Sequence, residues 1–514
     1  MMDSQSDPVQ EAWHLLRTHA DELPDFWTGV YRRGLESAFR KGDSRSGVGL
    51  AIFAALSLEY QGKPGRAITH LDDALSVFAS DRAARARLLA RRALVEAICG
   101  TDSAAQTLAR ARRGIRGLDA DDALDLDIYT AVVKAILLDA DCVVCAERAV
   151  AAARGTSAMT MAEGIKPWVI TAMQAFGMAE RAEIWTASLS AHTDVAGDMF
   201  RRADVAALDF AARSRAQVCE PDEEVLAGAP RNTIARWRIG VTRLYLSLLQ
   251  RDRTKAAAAL ETLGGLAGRM NPIWGSSLPA YRAARDAWFE DGAGSPFPTP
   301  PEAVSAVTLP AALAGLNASS QAGSQDDAVL WRRWADGLPP HIQSSLGWPV
   351  SIDRLIALSD IRLGRVGNAK RRFERAVRWA EAGGYFIERA IALVQLAELA
   401  TLASLPTTRE RWQGLRRRGR AELDGLGIDP DPLAYQVARA LALGRTSDYS
   451  PKLTPREVEV LSLLARGHTH REVGTSLGIS WRTAQVHAAS AYGKLDATSR
   501  ITAISRAREL GLLA

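Results

Sequence analysis

The chain has 514 residues, enough for two to four domains of about 100 to 200 residues each, so a disulfide-stapled miniprotein is excluded. Hydrophobic residues make up 47% and charged residues 24%, as in ordinary globular chains, which excludes wholesale disorder. The 64 Lys and Arg against 59 Asp and Glu leave +5, too little over this length to make the whole surface a polyanion binder.

At the N-terminus, residues 1–10 carry Asp3 and Asp7 and no apolar run, so they do not read as a secretory signal. No stretch approaches the roughly 20 apolar residues that span a bilayer, so no membrane partner is expected. Four cysteines, Cys99, Cys142, Cys145 and Cys219, suit a reducing cytoplasm. Residues 1–290 show helical rather than alternating periodicity and are rich in Ala, Leu, Arg and Glu, so they read as successive helices with short breaks at 61–65 and 117–121.

Some of these helices resemble one another. Gly62, Gly65, Ala67, Leu71, Ala74 and Leu75 match Gly364, Gly367, Ala369, Phe373, Ala376 and Val377 in order and spacing, and Glu147 to Val150 repeats Glu374 to Val377. A small residue followed four later by a larger one is what closely packed helix pairs need. The pattern resembles a degenerate tetratricopeptide-type (TPR-like) repeat, a solenoid or bundle in which each pair buries its face on the next. The same alignment puts Cys142 at the position of Ala369, so Cys142-x-x-Cys145 reads as core; a closed zinc site would need a second ligand pair that the sequence lacks.

Residues 291–325 are rich in Pro, Gly, Ser and Ala and read as a linker or loop with one short helix at 304–316. A second helical-repeat segment follows at 326–444. Its run Arg409, Arg411, Arg416, Arg417, Arg418 and Arg420 reads as a solvated helix face that could extend a phosphate footprint. A short polar hinge occupies 445–451.

The last module, 452–514, carries the clearest signals. Thr454-Pro455-Arg456-Glu457 is a capping box with Pro at the first helical position, opening a helix that buries Val460, Leu461 and Leu464 and ends at Gly467. Thr469 to Glu472 is a second capping box, before a short helix with Val473 and Leu477 on its apolar face and a turn at Gly478. Ser480 caps a third helix running to about Leu495, and Ser499 a fourth ending near Leu510. Two short helices joined by a glycine turn form the helix-turn-helix plan for reading a major groove.

The string Leu-Thr-Pro-Arg-Glu, Val-Leu-x-Leu-Leu-Ala-x-Gly, Arg-Glu-Val, Leu-Gly-Ile-Ser, Thr-x-x-Val-His, Lys-Leu and Thr-Ser-Arg, in this order over 453–513, resembles the four-helix C-terminal DNA-binding domain of the LuxR/NarL family. The resemblance implies that helix 480–495 enters the major groove, with Gln485, Val486 and Ala489 facing bases and Thr483, His487 and Lys494 near phosphates. It also implies that the fourth helix helps two copies pair on a two-fold operator. From chemistry alone, Gln485 can read adenine bidentately, Val486 can meet a thymine methyl, and Arg482, Lys494 and Arg500 can neutralise backbone charge. Many relatives place Lys or Arg where Gln485 and Ala489 stand, which makes base readout sparse or its preferred sequence unusual. Trp481 either lies along the sugar-phosphate backbone or packs on the preceding helix.

Charge agrees: residues 451–514 hold nine basic against five acidic side chains, a net of +4, leaving +1 to the other 450. The chain lacks a G-x-x-x-x-G-K-[ST] loop, a receiver-type strand-helix alternation and any evident catalytic constellation, so no enzyme activity and no cofactor is expected. Most of the 13 Trp read as helix-packing residues. These features predict an all-α cytoplasmic transcriptional regulator. Its helical repeats would sense a protein or small-molecule effector, and its C-terminal module would bind promoter DNA as a homodimer. A competing class, an interaction scaffold whose helix-turn-helix contacts protein such as RNA polymerase, shares the helical signature.

Overall fold

The computed structural model describes residues 7–18, 26–60, 63–114, 119–156, 158–191, 199–228, 233–268, 270, 272–290, 297–403, 409–445, 453–495, 497, 499–509 and 512–513. Among the described residues every regular element is helical and there is no strand. Contacts divide the chain into two compact units. One is Met1–Arg285 with Pro301–Ala314 and Leu338–Pro349; the other is Asp286–Pro300 with Gly315–Gly337 and Val350–Ala514.

The first unit opens with α1 (Pro8–Thr18), α2 (Trp27–Arg40), α3 (Ser44–Tyr60), α4 (Pro64–Val77) and α5 (Arg82–Ile98). It continues with α6 (Ser103–Arg113), α7 (Ala120–Ile136), α8 (Cys142–Ala153) and α9 (Met159–Ala175). Successive helices pair, α3 with α4, α5 with α6 and α7 with α8, while α3, α5, α7 and α9 each also pack on the helix two further along, so the pairs stack. Small side chains permit that closeness: Ala67 and Ala74 on α4, Ala104 and Ala111 on α6, and Ala149 and Ala153 on α8 are all buried. Cys142 lies among them, where burial pushes its thiol up to about 12. Among the described residues no cluster of three or more His, Cys, Asp or Glu could hold a metal ion.

After α10 (Ala179–Ala191), α11 (Met199–Arg213) and α12 (Glu223–Gly228) come α13 (Thr233–Leu249), α14 (Arg253–Ala267), α15 (Pro272–Ser276) and α16 (Leu278–Phe289). Trp237, Tyr245, Trp274, Tyr281 and Trp348 form one buried cluster with centroids 5.3 to 6.4 Å apart. Tilted and edge-on ring pairs of this kind add about 0.5–1.5 kcal/mol each beyond their buried area. Trp348 arrives on the returning segment Leu338–Pro349, where the N–H groups of Gln343 and Ser344 donate to the Ala175 carbonyl at 2.7 and 3.1 Å.

The stretch expected as a linker or loop with one short helix at 304–316 is non-helical over 297–304 and, from 305 to 321, mostly buried rather than a solvent-exposed tether. It contains α17 (Leu309–Gln321), in which every residue except Pro310 is buried. Its Ala, Gly and Ser content reflects close packing on all sides: a Cβ on Gly315 would lie 2.4 Å from the Trp331 ring. Sequence composition alone does not separate small residues chosen for flexibility from small residues chosen for close approach.

The second unit contains α18 (Gln325–Asp336), α19 (Ile352–Arg362), α20 (Val366–Ala382), α21 (Phe386–Leu402), α22 (Arg409–Gly425) and α23 (Asp431–Arg445). Ala369, Phe373 and Ala376 on α20 are fully buried, as are Ala67, Leu71 and Ala74 at the matching positions of α4. Two ion pairs are built into this core, Arg354 Nε to Glu388 at 2.6 Å and Arg332 Nε to Asp360 at 2.9 Å. In the arginine run on α22, Arg416 pairs with Glu398 at 3.5 Å, Arg418 with Glu381 and Glu422 at 3.2 and 3.0 Å, and Arg420 with Asp431. These three arginines of the run are thus compensated by carboxylates. The expected hinge at 445–451 falls, after Arg445, outside the described residues. No helix among the described residues is long and apolar enough to cross a membrane.

Candidate nucleic-acid interface

The C-terminal module comprises α24 (Pro455–Ala465), α25 (His470–Leu477), α26 (Trp481–Lys494) and α27 (Arg500–Glu509). Both capping boxes form: the Glu457 and Glu472 N–H groups donate to the Thr454 and Thr469 hydroxyls, and each glutamate accepts in return from its threonine N–H at 2.7 Å. Gly467 and Gly478 adopt positive φ of 100° and 65°, terminating α24 and α25. Ser480 caps α26 by accepting from the Thr483 N–H at 3.0 Å.

One face of α26 is made of Ala484, Ala488 and Ala491, all buried against Val460, Leu461, Leu464 and Val473. Their small size brings the backbone of α26 close to α24 and α25. The opposite face presents Arg482, Thr483, Gln485, Val486 and Ala489 to solvent, with His487 half-buried. Val486 is 66% exposed, unusual for a branched aliphatic side chain at the centre of a helix. All three positions expected at base edges therefore share one exposed helical face. Trp481, 48% exposed, lies beside the Arg482 guanidinium, 5.5 Å from its ring centroid.

Lys494 and Arg500 are engaged within the module. The Lys494 ammonium donates to Glu457 Oε2 at 2.6 Å, and Ser490 donates to Oε1 of the same carboxylate at 2.7 Å. Burial opposes the charged form of Glu457, but Lys494, Ser490 and the Thr454 N–H outweigh it and lower its pKa to about 2. Arg500 donates to the Leu464 carbonyl, and Arg456 reaches from α24 to the Leu477 carbonyl at the end of α25 at 2.5 Å. Glu457 is thus both cap and clamp, a role that its capping box alone does not reveal. Gly474 was equally hidden: a Cβ there would lie 2.8 Å from the Ile479 carbonyl, so only glycine lets α25 turn so tightly into α26.

This arrangement, an alanine-backed helix held across two capped ones with its polar N-terminal half in solvent, has the geometry of a groove reader. Residues 451–507 match the GerE model, bacterial regulatory proteins of the luxR family. The chain therefore carries a C-terminal LuxR-type helix-turn-helix domain. Among curated relatives, the quorum sensing-dependent transcriptional regulator RpaR of Rhodopseudomonas palustris is 37% identical over 107 residues, 18% of this chain and 44% of that protein. The transcriptional activator CarR of Pectobacterium carotovorum is 45% identical over 60 residues, 12% of this chain and 25% of CarR. The transcriptional activator BjaR1 of Bradyrhizobium diazoefficiens is 45% identical over 95 residues, 16% and 39% of the two chains. The matches thus span less than half the length of these three relatives.

Proposed function

We propose that this protein is a transcriptional regulator that binds promoter duplex DNA through its LuxR-type module and senses an effector through its helical region. The observation that carries the DNA reading is the single solvent-exposed face of α26 on which Gln485, Val486 and Ala489 lie together. In this reading α26 enters the major groove, Gln485 bonds one base, Val486 and Ala489 touch its neighbours, and Arg482, Thr483 and His487 approach phosphates. Lys494, through its bond to Glu457, and Arg500, through its bond to the Leu464 carbonyl, brace α26 and α27 against the rest of the module. Two copies bind a two-fold site, with α27, whose Ile501 is 81% exposed, contributing to pairing.

The paired, stacked helices of the first unit support a TPR-like scaffold as the sensing part. Within the second unit, Asn368 on α20 donates to the Gly493 carbonyl on α26 at 3.3 Å, a contact through which the helical region can restrain the reader. The decisive experiment selects bound sequences from random duplexes with the purified full chain, then repeats the selection with Gln485→Ala. A consensus that loses discrimination at one base pair, by about 1–3 kcal/mol, supports direct readout. Absence of any enriched sequence, together with capture of RNA polymerase by the module, would replace the DNA reading with a protein-binding one.

A further inference from the structure

Trp481 opens α26, and the structure separates it from the core beneath. The apolar cluster of Val460, Leu464, Val473, Ala484 and Ala488 is closed at its edge by Leu463, Leu477, Ile479 and Tyr492, and Trp481 is not among them. At 48% exposure, half of a side chain that offers about 150–250 Å² stands in water. Four residues before Gln485, Trp481 occupies the same side of the helix, at the edge of the base-facing stripe. Among the described large apolar side chains of the module only Val486 and Ile501 are more exposed, and each has a place already, on that stripe and at the proposed pairing surface.

The next residue makes it one of a pair. The Arg482 guanidinium lies over the Trp481 ring, 5.5 Å from its centroid, within the range of a cation–π contact. A guanidinium resting on a ring keeps its N–H edge free for an anion. Arg482 has no carboxylate partner among the described residues, whereas Arg456 and Lys494 are bound to Glu459 and Glu457. The pair therefore presents an apolar plane beside an uncompensated cation. A DNA strand presents the complement, because deoxyribose faces alternate with phosphates along it. In the proposed pose Gln485, Val486 and Ala489 take the base edges, which leaves the first turn of α26 at the wall of the groove. We infer that Trp481 is a positioning residue for DNA recognition: its indole lies on a deoxyribose at the groove wall and holds Arg482 on the adjoining phosphate, which fixes the depth of α26 and so the reach of Gln485 to its base pair. The inference rests on the DNA reading of the module and names the residue that sets its register. It does not depend on the effector.

The test uses the full chain and the duplex that it selects from random sequences. Trp481→Ala should weaken binding of that duplex about tenfold, with hydrogen exchange of the α24 and α26 amides unchanged. It should also shrink the preference at the base pair that Gln485 reads. Trp481→Tyr, which keeps a ring face for Arg482, should restore both, and Trp481→Leu, apolar but without a ring, should not. In the Arg482→Ala background Trp481→Ala should cost less than in the wild-type chain, because part of its effect passes through Arg482. Trp481 is the only tryptophan of residues 452–514, so quenching of its emission by duplex, read as the difference between the wild-type chain and Trp481→Phe, reports the contact directly.

Unaltered affinity and preference in Trp481→Ala would overturn the inference, as would faster exchange in that variant, which would make Trp481 a packing residue. Losses from Trp481→Ala and Arg482→Ala that simply add would overturn the link between the two. Uracil placed for each thymine of the duplex in turn checks the surface that the ring meets. A replacement that removes the effect of Trp481→Ala would put the ring on a thymine methyl and overturn the deoxyribose contact. Duplex that binds neither the wild-type chain nor any variant removes the DNA reading itself, whereas duplex that binds Trp481→Ala as it binds the wild-type chain removes only the role of Trp481.

Discussion

The Lys494 ammonium and the Glu457 carboxylate meet at 2.6 Å between α26 and α24, with Glu457 only 3% exposed. A basic residue that sequence position assigns to DNA phosphates thus fastens the recognition helix to its own domain. Because the bonds from Lys494, Ser490 and Thr454 overcome burial and hold the Glu457 pKa at about 2, below the ordinary 4.5, the ionised form stabilises the fold. That contribution is complete above about pH 4.5 and is lost as pH falls through about 2. Glu457→Gln should therefore cost about 2 kcal/mol at pH 7 and little near pH 2. Hydrogen exchange of the α24 and α26 amides in the full chain reads the difference; equal protection in both proteins at pH 7 would show that the pair contributes nothing.

Two glycines of the module should respond in opposite directions to alanine. At Gly474 the new Cβ would meet the Ile479 carbonyl at 2.8 Å and the Trp481 nitrogen at 3.1 Å, both backbone atoms that cannot step aside. Gly474→Ala should destabilise the module by about 1–3 kcal/mol and tilt α26 away from the groove. Gly493 has open space around its Cβ position and an ordinary helical environment, so Gly493→Ala should stabilise α26 by up to about 1 kcal/mol. Thermal unfolding with a duplex-binding assay checks both; a neutral Gly474→Ala would refute the close approach.

What sequence could and could not disclose here follows from the range of each interaction. The capping boxes at Thr454 and Thr469, the cap at Ser480 and the buried Val460, Leu461 and Leu464 depend on spacings of three or four residues, and all are present where the pattern predicts them. The likeness of α4 and α20 was also visible, because Ala67, Leu71 and Ala74 share their spacing with Ala369, Phe373 and Ala376. The Lys494–Glu457 bond spans 37 positions, and Arg500 reaches a carbonyl 36 positions away, so neither leaves a local signature. Helix α17 overlaps the short helix expected at 304–316, but its burial was hidden: Ala, Gly and Ser suit an exposed tether and a crowded core equally well, and only the surrounding residues decide which.

The Arg354 guanidinium and the Glu388 carboxylate, both nearly inaccessible, form a hub in which Ser351 N–H also donates to Glu388 at 2.8 Å and Arg354 reaches Gln395 at 3.3 Å. Removing one partner leaves the other charge buried without compensation. Arg354→Ala should cost about 3–5 kcal/mol, whereas the double replacement Arg354→Met with Glu388→Leu should recover most of that loss. Chemical denaturation of Arg354→Met, Glu388→Leu and the double variant measures the coupling; additive losses would mean that the two residues act independently.

The division of labour proposed for the basic residues has its sharpest consequence in salt dependence. Each phosphate neutralised by the protein contributes about 0.9 to the slope of log K against log salt. Arg482 stands exposed at the first turn of α26, so Arg482→Ala should reduce the slope by about that amount per module while leaving the unfolding midpoint in place. Lys494 is committed to Glu457, so Lys494→Ala should lower both stability and affinity with the slope unchanged. Fluorescence anisotropy with a selected duplex from 50 to 300 mM potassium chloride distinguishes the two behaviours. A slope reduced by Lys494→Ala would mean that the ammonium leaves Glu457 and moves onto a phosphate when DNA binds. Glu457→Gln should then strengthen binding at low salt, because the ammonium no longer has to break an ion pair, whereas a purely structural pair predicts that Glu457→Gln weakens it.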